Sequence, residues 1–327
     1  MSATLFGVGL TGLLLVSSPA TVDAVNPLPV ERPIVASPPA FDPGHAAFNL
    51  TTGDGLDIGL SVFALFFAPG ETLALHASEA LSWIDVHGEQ AATDDLRWTA
   101  PDEPSLTTVT LRSAAGDEMQ LNLVVMRRVE ADSGDSINGF AIGQYPQQPY
   151  RGEEAYRAPD SFIEFMPGLE DLAVSPHFRL GQFLCKQEGE GEARYLVLSE
   201  RLILKLERIL EASNARGWRT DSFTVMSGYR TPAYNAGLGN GENSRHIYGG
   251  AADIFIDTDG DGVMDDLNGD GVLDRRDAAA LFDLVEALAA AEDQDWQPGG
   301  LGEYAPNAHH GAFVHVDERG WRARWGR

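Results

Sequence analysis

Residues 244–257, SRHIYGGAADIFID, set His246 on a glycine-rich loop and Asp253 seven residues on, at the entry to an apolar strand. Gly249, Gly250, Ala251 and Ala252 lie between them and are small enough for the loop to fold back. Further along, residues 311–320, GAFVHVDERG, carry His315 on a second strand that can lie beside the first. Two imidazoles and a carboxylate are what Zn2+ selects, and a catalytic zinc takes three protein ligands and leaves one position open. His246, Asp253 and His315 are therefore the candidate ligands. No cysteine joins them, which argues against a closed structural site.

Outward from this stretch the elements alternate irregularly. Before it, Leu202, Ile203, Leu206, Ile209 and Leu210 recur at helical spacing, with Ser199 as the expected N-cap and Gly217 just past the end. A strand is expected over Phe223–Met226 and another over Ala251–Ile256, followed by an acidic insertion, a helix over Ala278–Ala291 and a strand over Gly311–Val316. Strands and helices without a regular βαβ repeat predict an α+β fold for residues 170–327. Residues 45–130 differ: short β-rich runs, Leu60–Phe67, Thr107–Arg112 and Met119–Met126, alternate with turn clusters. A small all-β, immunoglobulin-like sandwich is the expectation there, with 131–169 as a connecting segment. Residues 98–112, WTAPDEPSLTTVTLR, resemble the end of a bacterial immunoglobulin-like module.

Residues 25–44 are rich in proline and read as a linker. Residues 1–24 read as a signal peptide: an apolar run, Leu5 to Val16, precedes small residues and a step ending at Ala24. The segment before the run carries no Lys or Arg, which a signal usually has. Export to the periplasm, or secretion, is expected. No other segment is apolar enough to span a membrane.

With 49 acidic and 23 basic residues the 327-residue chain has a formal charge of −26, which nucleic-acid phosphates would repel. A hydrophobic share of 43% suits a globular chain able to bury a core. Cys185 is the only cysteine, so no intrachain disulfide can form. Beside Phe183 and Leu184 it reads as a small buried hydrophobe. His76 and His87 have no ligand-like company and read as structural.

The insertion, residues 257–277 (DTDGDGVMDDLNGDGVLDRRD), has the spacing of calcium loops, with oxygen ligands at positions 1, 3, 5, 7, 9 and 12 and glycine at 6. From Asp266 the ligands are Asp266, Asn268, Asp270, Val272 through its carbonyl, Asp274 and Asp277. From Asp257 they are Asp257, Asp259, Asp261 and Asp265, ending less well in Asn268. The overlapping repeats resemble dockerin loops and thrombospondin type 3 repeats. They predict structural Ca2+.

Three ordered segments, SGYRTPAYN (227–235), SRHIYGGAADI (244–254) and FVHVDERGWRARW (313–325), resemble the zinc D-Ala-D-Ala carboxypeptidase and murein endopeptidase family, in its exported branch. SPHFRLGQFLCK (175–186) and GGLGEY (299–304) extend the resemblance over roughly residues 170–327. It implies the α+β fold shared with hedgehog signalling domains, a zinc held by His246, Asp253 and His315, and hydrolysis of D-amino-acid-containing peptidoglycan peptides. Arg230 then matches the arginine that holds the substrate and the developing oxyanion. Many relatives place a Glu three residues before the last ligand, where this chain has Ala312. Others use a His five residues before it, here His310. His310 is thus the first candidate for acid/base work, Glu303 the second and His309 the third. Asp317 shares a strand face with His315 and is expected to orient it, while Ser227 and Tyr229 scaffold Arg230. A non-catalytic wall-binding module with structural zinc, or a calcium-dependent adhesion module, is the alternative.

Overall fold

The computed structural model describes residues 40–129, 134–188, 193–291 and 296–327. The signal-peptide reading and most of the linker lie outside them. No helix among the described residues is long and apolar enough to cross a membrane.

The N-terminal half is built from β1 (His45–Thr52), β2 (Asp57–Leu60), β3 (Val62–Phe67), β4 (Thr72–Asp85), β5 (Gly88–Glu89), β6 (Thr93–Thr99), β7 (Ser105–Ser113) and β8 (Glu118–Val125). They form one sheet in the order β2-β1-β4-β7-β8-β3, with β5 and β6 on β4. The first half of β4 pairs with β1 and the second half with β7, and its pairing with β6 shifts register between His76 and Leu81. Its apolar residues Leu73, Leu75, Leu81 and Trp83 all point inward, as strand alternation requires. β3 joins β8 in parallel, a long-range pairing that adjacent hairpins would not produce.

The far edge of β3 is closed by the C-terminal half. Ala64 donates its N–H to the Val174 carbonyl at 2.9 Å. Phe66 donates to a Glu200 carboxylate oxygen at 3.0 Å, and the Asn122 amide donates to the Ala173 carbonyl at 2.9 Å. The apolar core runs without a break from Phe48 to Val316, and Phe41–Arg327 forms one compact unit. Residues 134–169 do more than connect. β9 (Arg127–Arg128) pairs with β12 (Ser161–Phe165), which pairs with β13 (Arg194–Leu196), and a small hairpin, β10 (Ser136–Ile137) with β11 (Phe140–Ala141), lies between. Cys185 is free and buried, as expected.

α1 (Glu200–Ala215) buries the stripe Leu202, Ile203, Leu206, Ile209 and Leu210. Gly217 takes φ +101° just past its end, so that Trp218 N–H reaches the Ser213 carbonyl and Gly217 N–H that of Asn214. Beyond it come β14 (Thr224–Ser227), α2 (Pro232–Gly237), β15 (Ala251–Phe255), α3 (Arg275–Ala290), β16 (Gly300–Tyr304), β17 (Phe313–Asp317) and β18 (Ala323–Trp325). The strands make a sheet in the order β14-β15-β17-β16-β18, antiparallel except for the β16–β18 pair. α3 begins three residues before the expected Ala278, because Asp274 and Asp277 close a reciprocal capping box on its first turn.

Candidate metal centre

The register of the second sheet places the central residues. Asp253 on β15 lies directly opposite His315 on β17, and Gly302 of β16 lies on the other side of His315. Side chains alternate along a strand, so Asp253, His315 and Asp317 share one face with the side-chain-free Gly300 and Gly302. A methyl at Gly300 would collide with the Asp317 carboxylate, and one at Gly302 with the Trp325 indole. The two glycines are therefore what lets those side chains fold down beside His315. His246 arrives on a short 3-10 turn, Arg245–Tyr248, ended by Gly249 at φ +66°. Gly249 passes so close to the Val197 carbonyl that no Cβ fits, and Gly250 donates its N–H back to the Arg245 carbonyl at 3.1 Å, the fold-back expected of this loop.

His246, Asp253 and His315 are all buried, and one donor atom of each meets the others. His246 Nε2 lies 3.1 Å from His315 Nδ1, and Asp253 Oδ1 lies 2.9 Å from His315 Nδ1 and 3.3 Å from His246 Nε2. The outer nitrogens are committed. His246 Nδ1 donates to the Gly228 carbonyl at 2.7 Å, and His315 Nε2 donates to Asp317 at 3.1 Å. Those bonds take up one nitrogen of each ring and leave the other, with a carboxylate oxygen, converging on one point. A tetrahedral ion with donors at about 2.0–2.1 Å would space them about 3.3 Å apart. The residues fit a divalent cation of the zinc type in donor chemistry and in spacing.

Charges around the group are interlocked. Burial opposes ionisation of Asp253, but His246 and His315 outweigh it and hold its carboxyl well below the ordinary range. Burial lowers the pKa of His246. Burial also works against a charged His315, yet its bonds to Asp253 and Asp317 raise its pKa. Asp317 is likewise depressed, burial being overcome by His315 and Arg319, and it accepts from Gly300 N–H at 2.6 Å. It supports His315 as expected.

Arg230 is at the centre too. It pairs through Nη2 with the outer oxygen of Asp253, and its Nε donates to Ser227 Oγ at 2.7 Å. Its Nη1 has no partner among the described residues. Tyr229, fully buried, shares a hydrogen bond with Tyr145, whose hydroxyl also donates to the Ile247 carbonyl.

A cleft of about 840 Å³ opens over the three donors and is walled by Arg230, Tyr156, Phe313, Trp325, His309 and His310. His310 thus reaches the cleft, but both its nitrogens are engaged: Nδ1 donates to the Gly311 carbonyl at 2.7 Å and Nε2 accepts from Asn307 at 2.6 Å. His309 also faces the cleft, and its ring has no hydrogen-bond partner among the described residues. Glu303 corrects the expectation placed on it. It pairs across β17 with Val314, one residue out of phase with His315, so it points to the opposite face. There Arg275 and Arg327 hold it at 2.5 and 3.0 Å. Sequence reading missed Trp325, whose indole lies 5.0 Å from the His315 ring and donates to the Tyr304 hydroxyl at 2.9 Å. It also missed Tyr150 and Tyr156 from the supposed connector, since no local pattern links them to residues so distant in sequence.

The acidic insertion folds as two loops of matching design, nine residues apart. Asp257 accepts from the N–H groups of Gly260, Asp261 and Gly262, and Asp266 from those of Gly269, Asp270 and Gly271. Asp259 and Asn268 accept from the residue two further on, as do Asp261 and Asp270, the last from Val272 N–H. Asp257, Asp259 and Asp265 bring carboxylate oxygens within 4.8 Å of one another. Asp274 instead caps α3, and Arg276 bridges it to Asp270. Asp277 is buried and accepts from the N–H groups of Leu267, Asn268 and Asp274.

Residues 176–264 match the family model described as Peptidase M15. The match supports a hydrolase of metallopeptidase type. The M15 stretch contains Arg230, His246 and Asp253 and ends before His315, which the sheet brings to the other two. A search of curated proteins found no match.

Proposed function

We propose that this chain is an exported zinc peptidase, periplasmic or secreted, that hydrolyses peptide bonds in the stem peptides or cross-links of bacterial peptidoglycan. The observation that carries the reading is the convergence of His246 Nε2, His315 Nδ1 and Asp253 Oδ1, with the far nitrogen of each imidazole held by an outer partner. Its place beside an M15-like segment supports peptide hydrolysis. When bound, zinc supplies Lewis-acid polarisation of a carbonyl and acidifies a water molecule.

The chain's own residues supply the rest. Gly228 and Asp317 hold the ligand imidazoles in place. Arg230 fixes the outer oxygen of Asp253 and keeps Nη1 for a substrate carbonyl oxygen, where negative charge develops. His309, whose ring has no hydrogen-bond partner among the described residues, is free to turn toward a water or leaving amine in the cleft, whereas His310, held at both ring nitrogens, shapes the wall. The matched loops at Asp257 and Asp266 take structural Ca2+, a reading supported by their shared spacing and by the Asp257, Asp259 and Asp265 oxygens.

Incubation with purified muropeptides, followed by mass spectrometry, tests the reading. Cleavage that requires zinc and disappears in His246→Ala and His315→Ala is expected. Hydrolysis that survives thorough chelation would overturn it.

A further inference from the structure

Tyr150, Arg151 and Gly152 form a tight turn beside the cleft, after Pro149. Arg151 sits at φ 58°, one of two non-glycine residues with positive φ among those described. A side chain held in this sparsely populated region needs a reason, and such residues concentrate at binding sites. Here the backbone sets the guanidinium 5.2 Å from the Tyr150 ring centre and 5.0 Å from that of Trp321.

Its charge is unmatched, unlike that of the arginines in the cleft. The three arginines that line the cleft are each matched to a carboxylate: Arg230 to Asp253, Arg245 to Glu318 and Arg319 to Asp317. Arg151 makes no ion pair or hydrogen bond among the described residues. It is exposed, and the neighbouring Tyr150, which lines the cleft, is 38% exposed. The two aromatic rings hold this exposed cation in place and leave its N–H groups open to an anion.

A continuous track joins this turn to the metal centre. Arg151 lies over Trp321, Arg319 lies 6.0 Å from Trp321 and 5.3 Å from Trp325, and Trp325 packs at 5.0 Å on His315. A peptide extending about 3.3 Å per residue covers this track with a few residues.

We propose that Tyr150, Arg151 and Trp321 form a substrate subsite that binds a free carboxylate of the peptide, a few residues from the bond positioned over His246, Asp253 and His315. The inference rests on the peptidase reading for the identity of the peptide, though not for the recognition itself. The guanidinium takes the carboxylate through two parallel N–H bonds while the Tyr150 ring supports the adjoining aliphatic part. The enzyme then selects peptides with free acid groups over their amidated forms.

Two stem peptides test this, one with its branch carboxylates free and one with them amidated. Binding is followed by calorimetry on the full chain, and hydrolysis is followed separately. The native protein is expected to bind the free acid roughly tenfold more tightly than the amide. Arg151→Gln should reduce that ratio to near one, while Arg151→Lys keeps part of it. Arg157→Gln, at an exposed arginine paired with Glu154, should leave the ratio as in the native chain. Equal binding of acid and amide by the native protein overturns the subsite, whether or not either peptide is cut. Discrimination in binding without hydrolysis of either peptide supports the subsite and counts against the peptidase reading alone.

Discussion

Glu200, the first residue of α1, ties the helix to the edge of β3 by accepting the Phe66 N–H at 3.0 Å. Burial pushes its carboxyl up from 4.5 to about 7, against the pull of the N–H groups of Glu200 and Phe66. Between those values the folded chain keeps a proton that the unfolded chain has released. Stability therefore falls as pH rises from about 4.5 to about 7 and stays lower above it. At about 1.4 kcal/mol per pH unit the displacement corresponds to ~3 kcal/mol. Solvent partly reaches the residue, so ~1–3 kcal/mol should be seen. Glu200→Gln keeps an acceptor for Phe66 and removes the charge. It should raise the urea midpoint at pH 8, change it little at pH 4.5, and flatten the slope between. Comparing variant with native at each pH isolates this residue from His177 and His315. Their pKa values are raised, so the stability they add is present below about 6.5 and lost as pH climbs past their folded values. An unchanged difference between native and variant at pH 4.5 and pH 8 would refute the reasoning, and with it the view of this junction as a buried seam.

Asp317→Asn should weaken zinc binding by about 10–100-fold in a competition titration, because an amide cannot hold the His315 Nε2–H as a carboxylate does; unaltered affinity would remove Asp317 from the site. Gly302→Ala should cost about 1–3 kcal/mol in chemical denaturation, since the added methyl meets the Trp325 indole packed on His315. A chain as stable as native would mean that indole is free to move. Melting midpoints in calcium should exceed those in chelator, and Asp266→Ala should reduce the gap; equal midpoints would count against bound calcium. His309→Ala should lower kcat for muropeptides more than His310→Ala does, and the reverse order would return the proton-transfer role to His310.

The donor set was legible because its chemistry is written into short words. His246 needs the two glycines after it to turn back, Asp253 interrupts an apolar strand, and His315 stands two residues before an aspartate on the same face. The helix ends were legible for the same local reason: Gly217 and the Asp274–Asp277 pair act within a single turn. Glu303 was misplaced because its face depends on register against Val314, which no property of GGLGEY announces. The parallel β3–β8 pair and the core shared by the two halves escaped for a related reason, since both depend on contacts between distant segments. The cleft wall shows it most sharply. Tyr150 and Tyr156 sit in a proline- and glycine-rich stretch that reads as a connector, and only folding sets them over residues of β17.

Metal analysis of the purified chain, titrated with zinc and compared with His246→Ala, Asp253→Ala and His315→Ala, bears most directly on the account. One zinc per native chain, with each substitution abolishing tight binding, is the predicted result. A native chain that binds no zinc, or variants that retain it at full affinity, would contradict the convergence of these three side chains on one ion.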